Sequence, residues 1–209
     1  MDKKSRLLIL IIFVMFGLAY YAPVFAQSVA TGNATVYKVT LNKFELDNGD
    51  GTTAVTAFEG TSATLDIAAA ADNNSSVGNF MSGLVVPDGS YLRVKPTPSG
   101  TFIVSGSVTF GPNTYYTTST NGSSGGCLTS TTGPAQECTV TVPSAIVPAW
   151  ENMPSTLTVT DGTPNYKIRV RFNTSNSVGL YPIPPAPNPL DHYEIYPEPP
   201  QTSMTLVAQ

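Results

Sequence analysis

Apolar residues recur at every second position in several stretches of the chain, the spacing of a strand with one buried face. Phe102, Val104, Val108 and Phe110 keep one parity across Gly106. Tyr166, Ile168, Val170 and Phe172 alternate with Lys167, Arg169 and Arg171, which predicts a strand apolar on one face and cationic on the other. The stretch from Thr35 to Leu46 breaks parity once. Tyr37, Val39 and Leu41 share a face while Phe44 and Leu46 take the opposite one, so the strand bulges near Asn42 and Lys43 or its second half faces elsewhere.

Turn chemistry separates these stretches. Asp47-Asn48-Gly49-Asp50-Gly51 reads as a hairpin turn leading to Val55, Ala57 and Phe58. It is not a calcium loop, because Gly49 and Gly51 fall on ligand positions counted from Asp47. Ala63, Leu65 and Ile67 run into Ala68–Ala71, which predicts one short helical turn before the polar Asp72–Ser76. Pro87-Asp88-Gly89 suits a tight turn between Leu84–Val86 and Tyr91–Val94. Asn113 to Thr139, rich in Ser, Thr and Gly, reads as a long loop or loose hairpin ending in Thr139–Val142. Pro182, Pro184, Pro185, Pro187 and Pro189 predict an extended crossing over residues 181 to 190. Tyr193–Tyr196 and Met204–Val207 close the chain as strands. Roughly nine to eleven short strands with turn signals between them predict an all-β antiparallel sandwich. The expected organisation is one domain over residues 27–209; the alternative is two small β-domains divided near residues 111–135.

The first 26 residues have a different character. Lys3, Lys4 and Arg6 precede an apolar run from Leu7 to Tyr21, the order of a secretory signal peptide, with the best cleavage site after Val24-Phe25-Ala26. The run falls short of the roughly 20 residues that span a bilayer, so removal is expected, with contact to the membrane only before cleavage. Removal takes three of the 10 basic and one of the 14 acidic residues, leaving 7 against 13. Such an acidic chain excludes nucleic acid as an expected partner. The expected location is the periplasm, the cell surface or the extracellular space. Cys127 and Cys138, the only cysteines, are expected to pair as a disulfide there.

Catalytic signals are sparse. The single histidine, His192, leaves no set of imidazoles for a catalytic zinc site. Glu45, Glu59, Asp66, Glu151 and Glu194 are candidates for paired carboxylates, but nothing in the sequence brings them together. No phosphate-loop, nucleophile-elbow, dinucleotide or zinc-protease motif appears, so neither an enzyme nor a cofactor nor a metal is expected. Tyr115, Tyr116 and Trp150 are the candidate ligand-binding residues, since aromatic faces stack on sugars. Lys167, Arg169 and Arg171 read either as a stripe for an anionic polymer or as a solvated outer face. Asn33, Asn73, Asn74, Asn121 and Asn173 each begin an N-x-[ST] sequon.

The segment Gly83-Leu84-Val85-Val86-Pro87-Asp88-Gly89-Ser90-Tyr91, leading into Leu92-Arg93-Val94, resembles the hairpin of immunoglobulin-like or prealbumin-like modules of bacterial surface proteins. The resemblance covers residues 34–110. It implies an envelope or extracellular sandwich and brings no active-site residue. Together these readings lead to the expectation of a non-enzymatic structural or adhesive protein, partnered by copies of itself or by surface glycans or proteins. One version has Gln27–Val36 donated as a strand to a neighbouring subunit. The alternative is a carbohydrate-binding module.

Overall fold

The computed structural model describes residues 27–50, 54–70, 78, 86–142, 148–183 and 193–208. Residues 1–26, Asp72–Ser76, Leu84, Val85, Pro184–Pro189 and His192 lie outside the described residues. Strands hold 66% of those residues and no α-helix occurs among them, so the all-β expectation holds. The strands are β1 (Ala30–Val39), β2 (Leu41–Asp47), β3 (Val55–Glu59), β4 (Leu65–Asp66), β5 (Gly89–Pro98), β6 (Thr101–Phe110), β7 (Asn113–Asn121), β8 (Cys127–Ser130), β9 (Cys138–Thr141), β10 (Glu151–Thr160), β11 (Thr163–Pro164), β12 (Tyr166–Asn173), β13 (Val178–Pro182), β14 (Tyr193–Pro197) and β15 (Gln201–Ala208). Ala68–Ala70 form the expected single helical turn, of 3₁₀ type.

The sandwich expectation gives way to a barrel and a half-barrel. β1, β13, β14, β8, β7 and β6 follow one another in antiparallel pairs, and β6 returns to β1 to close the ring. Closure depends on backbones approaching closely. β1 is irregular between Ala34 and Val36, and Gly106 lies opposite Ala34. A Cβ at Gly106 would sit 2.5 Å from the Asn33 carbonyl oxygen, so only glycine fits this corner. On its other edge β6 pairs first with β9, over Thr101–Val104, and then with β7, over Ser107–Phe110. Buried Thr117 fills the fork, accepting the Gly106 N–H at 3.2 Å and donating to the Gln136 carbonyl at 2.7 Å. Tyr37, Val104, Val108, Val140, Leu180 and Ile195 are among the buried residues of the barrel.

The half-barrel is the antiparallel sheet β11-β10-β5-β2-β3 with the β12–β15 ribbon packed on it. Phe44, Leu46, Tyr91, Val94, Leu157 and Val159 are buried in its core, and Ile168, Met204 and Leu206 cover them from the ribbon. The parity break in Thr35–Leu46 is thereby explained twice over. Thr40 carries the chain from the barrel to the half-barrel, and the β2–β5 register shifts between Leu41 and Lys43. The crossings at Thr40 and Ser99 bond to each other, with the Ser99 N–H donating to the Thr40 carbonyl at 2.7 Å. Each core draws strands from both halves of the sequence.

Two expectations are corrected. Asn113–Thr139 is not a long loop but the loose hairpin of the alternative reading: β7 and β8 pair antiparallel with a register shift, and with the start of β9 they supply the barrel with buried Tyr115, Thr117, Cys127 and Cys138. Nor is the apolar face of β12 evenly buried. Tyr166 and Ile168 pack on the half-barrel core, Phe172 packs on the barrel core, and Val170 between them is 41% exposed. Cys127 and Cys138 open β8 and β9 and form the expected disulfide inside the barrel, with their Cα atoms 5.9 Å apart.

Candidate functional site

Tyr115 and Tyr116 are neighbours on β7, so their side chains take opposite faces. Tyr115 points into the barrel, where its ring lies 5.0 Å from that of Tyr193. Tyr116 lies over Gly133, where a Cβ would come within 3.2 Å of its ring. Trp150 belongs to the half-barrel, where Lys95 Nζ stands 4.6 Å and the Arg93 guanidinium 5.5 Å from its ring centroid. The three candidate ligand-binding residues therefore do not form one aromatic platform. Gln27–Val36 is also engaged: from Ala30 onward it is a closing strand of its own barrel, bonded to β13 and β6.

The cations beneath Trp150 belong to a charged face that sequence reading missed. Lys43, Glu45 and Asp47 alternate with the buried Phe44 and Leu46 on β2, and the register sets Glu45 opposite Lys95 and Asp47 opposite Arg93. Lys95 and Lys43 reach the two Glu45 oxygens at 2.8 and 3.0 Å. Arg93 forms an ion pair with Asp47 Oδ2, which also accepts the Gly49 N–H at 2.9 Å. Burial pushes the Asp47 carboxyl up, but the Arg93 and Gly49 hydrogen bonds and the Arg93 charge outweigh it and hold the group low. The same contest, won by Lys95 and Lys43, lowers Glu45. The signal was present as opposite charges at period two in two stretches, but register is needed to pair them.

A second polar centre lies on the barrel. Glu194, 1% exposed on β14, accepts the Ser124 N–H at 3.1 Å, the Gly126 N–H at 2.8 Å and the Tyr196 hydroxyl at 3.0 Å. The β7–β8 turn wraps over it so closely that a Cβ at Gly122 would collide with the carboxyl group. The Tyr181 hydroxyl donates to Glu198 at 2.5 Å, and the Tyr181 and Tyr196 rings meet edge-on at 5.2 Å. Burial, followed by the neighbouring Glu198 and Glu194, pushes both phenols well above their usual range.

The other candidate acids have separate surroundings. Asp66 Oδ1 accepts the backbone N–H groups of Tyr37 at 2.9 Å and Ala68 at 3.1 Å, and exposed Glu59 stands opposite Lys43 in the β2–β3 register. Glu151 lies in a cleft of about 250 Å³ between β10 and β15, lined also by Asn152, Pro154, Val170 and Met204, and burial raises its carboxyl. Among the described residues no group of three or more His, Cys, Asp or Glu side chains is placed to hold a metal ion. Comparison with protein-family models, curated proteins and solved structures returns no match. The functional reading therefore rests on this chain's own residues.

Proposed function

We propose that this chain is an exported, non-enzymatic protein of the cell envelope or surface that acts in structure or adhesion, as the subunit of an extracellular assembly. The observation that carries the reading is where the charges go. Asp47, Glu45 and Glu194 are buried and consumed by cross-strand cations or backbone N–H groups, so they serve the fold. The leader-like first 26 residues and a disulfide that persists only under oxidising conditions support export. The resemblance of residues 34–110 to immunoglobulin-like or prealbumin-like surface modules fits the same setting. Strand edges left without a partner among the described residues, at β3 and at β15, offer places for a neighbouring subunit to pair.

Fractionation of cells that make the protein, with protease added to intact cells, tests the reading. Recovery outside the cytoplasm, together with loss of surface structure or attachment when the gene is deleted, is expected. Retention in the cytoplasm would overturn it.

A further inference from the structure

The β12–β15 ribbon breaks a pattern that the other cations keep. Arg93 has Asp47 opposite, Lys95 has Glu45 opposite, Lys43 bonds the same Glu45, and Lys38 reaches Glu137 at 2.7 Å. Beyond residue 26 the remaining cations are Lys167, Arg169 and Arg171. Across the ribbon they face Val207, Thr205 and Ser203. All three are exposed, and none has an ion-pair partner among the described residues. Alternate residues of a strand stand roughly 6.5 Å apart on one face, so the row extends about 13 Å. Ile168, Leu206 and Met204 on the opposite face hold the ribbon on the half-barrel core and keep the row turned outward.

We propose that this face binds an anionic polysaccharide, a sugar polymer carrying separated carboxylate or sulfate groups. The inference deepens the adhesive reading by naming a ligand class, and it rests on the exported setting of that reading. Two of the three cations are arginines, whose planar fork takes a carboxylate or sulfate through two parallel hydrogen bonds. The Thr205 and Ser203 hydroxyls opposite them are neutral partners for sugar hydroxyls. Outside the row, four cations stand against 13 acids beyond residue 26, a field that disfavours a densely charged polymer such as nucleic acid. Cations also guard an open strand edge against pairing, a role that lysine fills as well as arginine.

Purified protein is titrated with heparin for sulfate, polygalacturonate for carboxylate, neutral dextran and duplex DNA. Binding to at least one anionic sugar polymer and not to dextran is expected. K167Q/R169Q/R171Q should weaken that binding by about tenfold and reduce the salt dependence by roughly one unit of slope per cation removed. R169K/R171K, which keeps the charge and the edge guard, should lose part of the affinity. Absence of binding to both polymers at low salt, affinity unchanged in the triple variant, or tighter binding to DNA would overturn the proposal. If the triple variant aggregates, R169K/R171K decides: a several-fold loss supports the site, and no change refutes it. Cell fractionation is independent of these titrations, so failure of the ligand and failure of the exported setting are distinguishable.

Discussion

Arg93 stands directly opposite Asp47 across β5 and β2, and its Nε donates to Asp47 Oδ2 at 2.7 Å. The carboxylate is fully buried, and its other oxygen has no hydrogen-bond partner among the described residues, so Arg93 and the Gly49 N–H hold the charge in place. Arg93→Ala should therefore lower Tm by clearly more than Lys38→Ala. The latter removes a surface pair of half-buried Lys38 and exposed Glu137, a class worth about 0–1 kcal/mol. Thermal melts of the two variants side by side check this.

Acid titration should separate two kinds of carboxylate. Asp47 and Glu45 are held low in the folded chain, so the unfolded chain takes up protons first as pH falls. The stability they contribute is present above the ordinary carboxylate range and is lost as pH drops through their lowered values, below about pH 4. Glu151 runs the other way. Burial raises it, so whatever it contributes is present at low pH and is lost as pH rises through its raised value. Glu151→Gln should raise Tm at pH 7 and leave it unchanged near pH 3. Melts of the variant across pH 3–8 test the sign.

The disulfide joins positions 11 residues apart in sequence and lies wholly within the barrel core. Cys127→Ala with Cys138→Ala should cost about 3 kcal/mol by the chain-entropy estimate for so short a loop. That corresponds to a Tm lower by roughly 10 °C for a chain of this size. Calorimetry of the double variant checks it.

Two glycines should differ in what they tolerate. At Gly126 a Cβ would lie 2.5 Å from the Tyr196 ring and 2.9 Å from Glu194 Oε2. Gly126→Ala should cost about 1–3 kcal/mol through overpacking. Gly111 has φ +58° with nothing within 4 Å of a Cβ, and asparagine tolerates that conformation. Gly111→Asn should be near neutral. Urea midpoints of the two variants give the comparison.

Much of the strand content was legible in the sequence because it rests on local chemistry. The β2–β3 hairpin, the parity of Phe102–Phe110, the β12 alternation and the cysteine pair were read from neighbouring residues alone. β7 was missed because its inward face includes Thr117, whose burial is earned by partners at Gly106 and Gln136 rather than by an apolar side chain. The barrel was taken for a sandwich because both fill strands of alternating apolar residues. What distinguishes them is that the run β1-β13-β14-β8-β7-β6 closes on itself through the β6–β1 pairing at Gly106. Glu194 gave no signal as a fold-forming residue, since two of its three partners are backbone N–H groups of a turn 68 and 70 residues earlier. The aromatic candidates do not share one face for the simplest reason: Tyr115 and Tyr116 are adjacent on a strand.

The measurement that tests the proposed role most directly is the size of the purified chain, residues 27–209, by light scattering over a concentration series, with electron micrographs of the largest species. Ordered oligomers or filaments that grow with concentration are the expected result. A chain that stays monomeric at every concentration, with no ordered particles in the micrographs, would contradict its role as an assembly subunit.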